Sequence, residues 1–580
     1  MPTIVKYLLY LSSLVLLFSC ANQTAPQGGP KDEDAPELER STPEQKEINF
    51  KEQKIELYFN EYVNTNQPKQ EIIITPTIEQ EYEIKYRKNV ITLTFEEPLE
   101  DSTTYTINFR EAIQDITEKN SPSDLKLAFS TGPYLDSMVI SGTVKDLLTS
   151  APQQDVTVGL YTLTDTLNLL VQSPTYFTKT DEEGQYKIEN IKIGTYRMLA
   201  FKDANKNLTP QTKSEAYGYL TSQIELDTIL TDIDFDLLNL NLDTLKISRA
   251  RQVATTFQIK YNKYITNYSI VTFDSVDQVV GNFTDATHET IQIYNTFSIQ
   301  DSIPIFVHAF DSLASQRIDT LFLKFKETNR KPAEFTSSLS LDRIITNQKV
   351  LKATVNFNKP ITHINYDSVF IYIDSTTIYP FDSSHFQWND YHDMLDVTYA
   401  LPDSIFSTEP EETDTNSTDD QQSSAANEAT ENTASDSTRT EAKPDQPPHI
   451  YFGLASFISA QNDSSAILKQ PLTFDKPESL GIIEFQIETE EPCYFLQLID
   501  DKFQVVKELY NPDSQELQNL EPGQYNIRIV VDTNCNKKWD LGSLLTNTYP
   551  EPIFIHELPD GLKNIVLRAN WVNPIGVIKF

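Results

Sequence analysis

Leu57-Tyr58-Phe59-Asn60-Glu61-Tyr62-Val63 has two similar counterparts in the chain, Ile259-Lys260-Tyr261-Asn262-Lys263-Tyr264-Ile265 and Val355-Asn356-Phe357-Asn358-Lys359-Pro360-Ile361. In the first heptad, alternation places Ile55, Leu57 and Phe59 on one face of a β-strand, and an asparagine then ends the strand. The second and third heptads begin 96 residues apart. The repeat therefore predicts β modules of about 100 residues that follow one another along the chain.

Composition agrees with this interpretation. The chain has 580 residues, of which 28 are Tyr and 31 are Phe but only 4 are Met, and aromatic rings pack well on pleated sheets. Its length favours about four domains. We therefore expect an all-β protein of tandem β-sandwiches in an elongated arrangement.

The first heptad belongs to a recognisable pattern. It is followed by Val90-Ile91-Thr92-Leu93-Thr94-Phe95, by Ser102-Thr103-Thr104-Tyr105-Thr106-Ile107 and by Phe129-Ser130-Thr131-Gly132. This order resembles the bacterial Ig-like domain of the S-layer SbsA type. The resemblance implies an Ig-like sandwich here, and the internal repeat extends that expectation to the second and third heptads.

A different unit occurs twice, with a constant offset of 329 residues. Gly194-Thr195-Tyr196 precedes Asp203-Ala204-Asn205-Lys206-Asn207, and Gly523-Gln524-Tyr525 precedes Asp532-Thr533-Asn534-Cys535-Asn536. With Thr180-Asp181-Glu182-Glu183-Gly184-Gln185-Tyr186, the first copy resembles transthyretin-like carboxypeptidase regulatory domains. That resemblance implies a seven-strand accessory sandwich without catalytic residues, and the second copy matches it less closely.

Five sandwiches are therefore expected after an N-terminal leader. The predicted segments are a lipoprotein signal peptide (1–19), a flexible tether (20–35), an SbsA-type Ig-like domain (36–133), a transthyretin-like domain (137–242), an Ig-like domain (243–328), a second such domain (334–476) and a final transthyretin-like domain (478–580).

The N-terminus has the composition of an export signal. Lys6 precedes an apolar run that ends in Leu17-Phe18-Ser19-Cys20, which is too short to cross a bilayer but suits a signal peptide. The sequence before Cys20 resembles a bacterial lipobox, which implies a mature chain that begins at a lipidated Cys20. An ordinary secretory signal with an incidental cysteine is the alternative. The resemblance to lipoproteins of Bacteroidetes-type bacteria implies anchoring in the outer membrane, on its periplasmic or its cell-surface face.

The stretch 408–448 is acidic and contains no Val, Ile, Leu or aromatic residue. Such a composition cannot bury enough apolar surface to offset its conformational entropy, so we expect it to be disordered. Removing its 41 residues restores the strand spacing of the sister modules. We therefore interpret it as an insertion in a loop of the fourth sandwich.

The last Asp/Asn loop is the candidate metal site. Asp532, Asn534, Asn536 and Asp540 stand at positions 1, 3, 5 and 9 of a calcium-type loop. Position 6 is a lysine instead of glycine, and position 12 is Ser543 instead of glutamate. The alternative is an Asn/Asp turn in which these side chains bind backbone groups. No cofactor is required by the sequence, and calcium is the one it suggests.

Cys493 and Cys535 are the cysteines left after Cys20. We place Cys493 in a strand and Cys535 in the Asp/Asn loop, and in an oxidising compartment they form either a disulfide or two free thiols.

Function is less well determined than fold. A net charge of −37 argues against nucleic-acid binding, and the chain has no paired-histidine zinc motif, no Gly-x-Ser-x-Gly and no phosphate loop. The sequence favours a non-enzymatic, membrane-anchored stalk, scaffold or adhesion module whose partner is an envelope protein or a glycan. The alternatives are a glycan-binding surface lipoprotein, which would display clustered aromatic rings around Trp388 or Trp571, and an accessory subunit of a hydrolase.

Overall fold

The computed structural model describes residues 32–78, 80–273, 279–297, 302–406, 446–512 and 515–580. Almost every regular element in the described residues is a β-strand, as the sequence predicts. Among these residues, five clusters of buried apolar side chains form separate cores, and each lies within one of the five predicted ranges. The domain boundaries themselves stay predictions.

The first sandwich surrounds a core that includes Ile55, Leu57 and Phe59. Its strands are β1 (Leu38–Thr42), β2 (Lys54–Phe59), β3 (Val63–Thr65), β4 (Ile73–Thr75), β5 (Tyr82–Arg87), β6 (Val90–Phe95), β7 (Thr104–Asn108), β8 (Ile113–Asp115) and β9 (Lys126–Ser130), with one helical turn at Pro68–Glu71. The sheets have the orders β1-β2-β6-β5, β3-β8 and β4-β7-β9.

The second sandwich contains the first Asp/Asn loop. Its strands are β10 (Met138–Asp146), β11 (Thr157–Thr162), β12 (Tyr176–Lys179), β13 (Gln185–Ile191), β14 (Gly194–Phe201), β15 (Tyr217–Tyr219), β16 (Ile224–Leu226) and β17 (Phe235–Leu237). One sheet has the order β13-β10-β17, with β10 and β17 parallel. The other has the order β12-β11-β14-β15, and β16 also pairs with β14.

The third sandwich has two sheets, β18-β19-β22-β21 and β20-β23-β24. Its strands are β18 (Ile247–Val253), β19 (Thr256–Tyr261), β20 (Ile265–Thr272), β21 (Gly281–Phe283), β22 (Thr290–Tyr294), β23 (Ile303–Asp311) and β24 (Gln316–Leu323).

The fourth sandwich is built on the third heptad. Its strands are β25 (Ser337–Leu341), β26 (Ile344–Ile345), β27 (Val350–Phe357), β28 (Ile361–Ile364), β29 (Val369–Tyr372), β30 (Ile378–Pro380), β31 (Phe386–Trp388), β32 (Met394–Ala400), β33 (His449–Phe452), β34 (Phe457–Ser459), β35 (Leu468–Pro471) and β36 (Phe474–Asp475), and short 3₁₀ turns cover Tyr366–Ser368, Ser383–His385, Asp403–Ile405 and, just before the fifth sandwich, Pro477–Ser479. Its sheets have the orders β25-β27-β32-β31, β30-β29-β33-β35, β26-β36 and β28-β34. Strands β32 and β33 flank the acidic stretch, and both belong to this sandwich.

The fifth sandwich repeats the topology of the second one. Its strands are β37 (Gly481–Glu488), β38 (Tyr494–Asp500), β39 (Val505–Tyr510), β40 (Glu516–Leu520), β41 (Gly523–Val531), β42 (Ile553–Ile555), β43 (Ile565–Leu567) and β44 (Val572–Lys579). The orders β40-β37-β44 and β39-β38-β41-β42, with β43 also on β41, match the second sandwich strand for strand. The pairing of β37 with β44 is parallel, like that of β10 with β17.

The asparagine at the fourth position of each repeated heptad binds the chain that enters its sandwich. Asn60 Oδ1 accepts a hydrogen bond from the backbone N–H of Glu37 at 2.9 Å. The same contact recurs at 2.9 Å in the third and fourth sandwiches, from Lys246 to Asn262 and from Thr336 to Asn358. The repeat therefore encodes both a buried strand and the connection that precedes it.

The described residues form two compact units. One consists of the residues up to Asp146 together with Pro152–Gln211 and Glu215–Leu237, and it contains the first and second sandwiches. The other consists of Leu238–Phe580 with the short segments Leu147–Ala151 and Thr212–Ser214, and it contains the third, fourth and fifth sandwiches.

Candidate functional sites

Two predicted features lie outside the described residues. These are the signal peptide with Cys20 and almost all of the acidic stretch 408–448. In the part of the chain that the structure covers, no helix has the length and apolar character needed to span a membrane.

The predicted calcium loop is held by hydrogen bonds within the protein. Asp532, which is fully buried, accepts bonds from the backbone N–H groups of Asn536 at 3.0 Å and Lys537 at 2.8 Å. Its carboxylate also accepts a bond from the Tyr510 hydroxyl at 3.0 Å. Asp540 Oδ2 accepts bonds from the side-chain amides of Asn534 at 2.5 Å and Asn536 at 3.0 Å. The four predicted residues therefore do lie together.

A buried glutamate that the sequence did not indicate completes this loop. Glu551 accepts hydrogen bonds from the backbone N–H groups of Thr533 and Asp540, both at 2.8 Å. Its side chain is 5% exposed, so these bonds are protected from water. The loop is thus fixed from two sides by two carboxylates.

The first Asp/Asn loop has the same construction. Asp203 accepts from the backbone N–H groups of Asn207 at 3.0 Å and Leu208 at 2.9 Å. Glu215 accepts from Ala204 at 3.0 Å and from Gln211 at 2.8 Å. These contacts match those of the last loop position by position.

The calcium interpretation of these loops stays a prediction. No group of three or more His, Cys, Asp or Glu side chains in the described chain is arranged to hold a metal ion. The hydrogen bonds do not use every lone pair of the loop carboxylates, because each carboxylate oxygen has two, so the remaining lone pairs are available to a calcium ion.

Cys493 and Cys535 form a disulfide, with their α-carbons 5.5 Å apart. Cys493 directly precedes β38 instead of lying within a strand, since β38 begins at Tyr494. The backbone N–H of Asp532 also donates to the Cys493 carbonyl at 2.9 Å. The bond therefore ties the Asp/Asn loop to the start of the neighbouring strand.

The third sandwich exposes an uncharged sheet face. Strands β20, β23 and β24 are antiparallel neighbours, so their alternate residues point to the same side. We call this side the outer face; it consists of Asn267, Ser269, Val271 and Phe273, of Pro304, Phe306, His308 and Phe310, and of Gln316, Ile318, Thr320 and Phe322. None of these residues is Asp, Glu, Lys or Arg, in a chain of which 23% is charged.

The apolar residues of the outer face are unusually accessible. Phe273 is 72% exposed, Ile318 65% and Phe322 64%. The rings of Phe273 and Phe306 lie 6.0 Å apart, so the exposed groups are neighbours instead of scattered residues. Contiguous apolar surface of this kind is typical of sites where another molecule binds.

Buried ion pairs stabilise two of the repeated heptads. Lys263 lies 2.5 Å from Asp311, and Lys359 lies 2.7 Å from Asp463. The first sandwich has Glu61 at the corresponding position. Burial and the charge of the nearby Asp115 raise the pKa of Glu61. We assign Lys263 and Lys359 to the support of the fold, because the charge of each is matched by an aspartate of its own sandwich.

The two tryptophans named above do not form a common aromatic platform. Trp388 packs against the core of the fourth sandwich, with its ring centroid 5.9 Å from that of Phe357. Trp571 is 50% exposed, and the Arg568 guanidinium lies 4.8 Å from its ring centroid. Within the described residues, neither position presents an exposed cluster of aromatic rings such as the glycan-binding alternative requires there.

Comparison with known proteins identifies one domain type. Residues 32–131 match a family model described as a bacterial Ig-like domain, which confirms the expectation for this part of the chain. The match covers less than half of the chain. No curated protein matches the sequence.

Solved structures give only weak likenesses. The Bacillus anthracis TIE protein matches at 7% identity over 95% of this chain and 75% of its own, with a TM-score of 0.12. BcpA, the major pilin subunit of Bacillus cereus, matches at 9% identity over 77% of this chain and 99% of its own, with a TM-score of 0.12. The surface layer protein SbsC matches at 10% identity over 88% and 68%, with a TM-score of 0.14. TM-scores this low support no functional inference. The family match therefore identifies the domain type of residues 32–131 alone.

Proposed function

We propose that this chain is a non-enzymatic, lipid-anchored structural protein of a bacterial outer membrane, which binds another envelope protein through the outer face. Lipid on Cys20 would hold the N-terminal end at the membrane, and the third of the tandem sandwiches would present the outer face to the partner. The Ig-like match and the β-sandwich architecture support a structural or adhesive role at the cell surface.

The outer face is the observation that carries this proposal. A chain with a net charge of −37 tends to repel other anionic molecules. The outer face carries no charge, so an apolar partner can approach there without desolvating an ion. Strands β20 and β24 are also sheet edges, and a partner could extend the sheet by pairing with either strand.

The second and fifth sandwiches would act as spacers. Their common topology supports the proposed transthyretin-like identity of both, which implies accessory modules. The buried carboxylates of their loops already bind backbone N–H groups, so these carboxylates maintain loop structure instead of performing chemistry. An accessory subunit of a hydrolase would be built in the same way and remains the alternative.

The anchor is tested by replacing Cys20 with alanine. We expect the wild-type chain to sediment with membranes and to carry fatty acid on its N-terminal cysteine, as measured by mass spectrometry. The Cys20→Ala chain should appear in soluble fractions instead. A wild-type chain recovered with an unmodified Cys20 would contradict the anchor but not the proposed binding face.

The binding face is tested by a matched pair of substitutions. Ile318→Ser changes the outer face, whereas Ile229→Ser changes an isoleucine of similar exposure, 60% against 65%, on the second sandwich. The two chains are purified with their cross-linked partners from detergent-solubilised membranes and compared by quantitative mass spectrometry. We expect Ile318→Ser to lose a specific envelope protein that the wild type and Ile229→Ser retain. Equal recovery of every partner by all three chains would refute the proposed face.

A further inference from the structure

The fifth sandwich has an extended loop that its counterpart lacks. In the second sandwich the loop aspartate Asp203 and the buried Glu215 are twelve residues apart, whereas Asp532 and Glu551 are nineteen apart. The seven extra residues form a small closed turn. Backbone hydrogen bonds between Ser543 and Thr548 fix it in both directions, at 2.9 and 3.1 Å.

This extended loop forms one wall of a cavity of about 670 Å³. Leu541–Ser543, Leu545, Thr546 and Tyr549 lie on this side. The opposite wall comes from Leu242–Leu245 and from Ser312–Arg317, which comprises the turn after β23 and the first two residues of β24. Both walls belong to the same compact unit. The volume lies within the ~300–1,000 Å³ range of small-molecule sites.

Most charged groups that line the cavity already have partners in the protein. Lys263 is paired with Asp311, and Arg317 binds Asp319 through two hydrogen bonds of 2.8 Å. Asp540 and Glu551 accept the loop hydrogen bonds described above. A further carboxylate, Asp243, is exposed at the cavity and disfavours anions. A neutral ligand therefore fits this cavity better than an anionic one.

The rest of the lining combines hydroxyl groups with exposed apolar side chains. Ser312, Ser315 and Thr546 contribute hydroxyls, while Tyr549 is 52% exposed and Leu545 is 64% exposed. A sugar presents the matching pair of surfaces, because its hydroxyls form hydrogen bonds and its C–H face packs on apolar and aromatic side chains. We propose that this cavity binds a neutral oligosaccharide of a few sugar units. The site shares only Gln316 with the outer face and does not depend on the function proposed above.

The test uses four defined neutral sugars on the full mature chain: cellobiose, maltose, lactose and N,N′-diacetylchitobiose. Saturation-transfer NMR and isothermal titration report binding. We expect at least one sugar to bind with a millimolar dissociation constant and Tyr549→Ala to weaken it about ten-fold or more. Tyr134→Ala removes a tyrosine of similar exposure, 56%, from the other compact unit and should leave binding unchanged.

A second variant distinguishes a loss of binding from a folding defect. Leu545→Arg places a long side chain at the cavity from a position that is already largely exposed, so it should block binding without lowering the unfolding temperature. Failure of all four sugars to bind, or equal binding by the wild type and Leu545→Arg, would overturn the assignment. Capture of a protein partner by the outer face should be the same in Tyr549→Ala and wild type, so the two proposals fail independently.

Discussion

Glu215 and Glu551 have the same hydrogen-bonding role in two different sandwiches. Each accepts bonds from the backbone N–H groups of the second and ninth residues of an Asp/Asn loop, Ala204 and Gln211 in one case and Thr533 and Asp540 in the other. Both glutamates are at most 5% exposed. Hydrogen bonds of this kind to an ionised, buried group are among the stronger ones in proteins.

Replacing Glu551 with glutamine should therefore destabilise the fifth sandwich. The amide can still accept one bond, but its NH₂ group would face the other backbone N–H group, and a buried donor without an acceptor costs about 1–3 kcal/mol. We expect the urea midpoint for unfolding of the fifth sandwich to fall. Glu490→Gln, at an exposed position of the same sandwich, is the control and should leave that midpoint unchanged. Equal midpoints for both variants would show that the bonds to Glu551 contribute little.

These glutamates show a limit of repeat analysis. A constant offset of 329 residues aligns Asp203 with Asp532, but the longer loop of the fifth sandwich shifts Glu551 out of that alignment. Only the hydrogen bonds reveal that Glu215 and Glu551 correspond. In contrast, the strands of the repeated heptads could be predicted, because the alternation at Ile55, Leu57 and Phe59 is a local signal that burial confirms.

The outer face and the cavity could not be predicted for different reasons. The first eight residues of strand β23 are Ile303-Pro304-Ile305-Phe306-Val307-His308-Ala309-Phe310, a stretch that is apolar at almost every position and resembles a strand buried on both sides. The exposure of one side becomes visible only when β20 and β24 are placed beside it. The cavity depends on residues about 230 positions apart, such as Ser315 and Thr546, and no local pattern links them.

Acid should weaken the first sandwich through Asp115. Burial alone would raise the pKa of this carboxyl, but hydrogen bonds from the backbone N–H groups of Lys119, Asn120 and Glu118 outweigh it and lower the pKa below the ordinary value of 3.8. A carboxyl with a lowered pKa in the folded state contributes stability that is complete above the pKa of the unfolded chain. That contribution is lost as the pH falls through the folded-state pKa.

The measurement is the urea midpoint for unfolding of the first sandwich, determined at several pH values between 6 and 2. We expect Asp115→Asn to unfold at lower urea than the wild type at pH 6 and to show a weaker dependence on pH below 4. Asp101→Asn, which alters an exposed carboxyl with 84% side-chain exposure, should retain the pH dependence of the wild type. Parallel pH curves for Asp115→Asn and the wild type would contradict this assignment.

The disulfide should stabilise the fifth sandwich by closing a loop between residues 42 positions apart. Constraining the unfolded chain in this way typically contributes about 2–4 kcal/mol. We expect the double variant Cys493→Ala/Cys535→Ala to have a lower urea midpoint than the wild type. Dithiothreitol should lower the midpoint of the wild type but not that of the double variant. A midpoint unaffected by both the reductant and the substitutions would rule out a stabilising bond.

Calcium provides the remaining test of the last Asp/Asn loop. Its hydrogen bonds allow the loop to form without metal, so we expect the chain to stay folded in EDTA. The calcium proposal further predicts that 10 mM Ca²⁺ stabilises the fifth sandwich by about 1.4–2.7 kcal/mol, if the dissociation constant is that of extracellular modules, ~10⁻⁴–10⁻³ M. Asp540→Asn removes a predicted ligand charge and should abolish this response, whereas Asp560→Asn, at an exposed position of the same sandwich, should retain it. Any ligand that binds the folded state alone must raise its stability. If Ca²⁺ leaves the urea midpoint of the wild type unchanged, the loop therefore binds no calcium. Its predicted ligands then serve only as turn residues: Asp532, Asn534, Asn536 and Asp540.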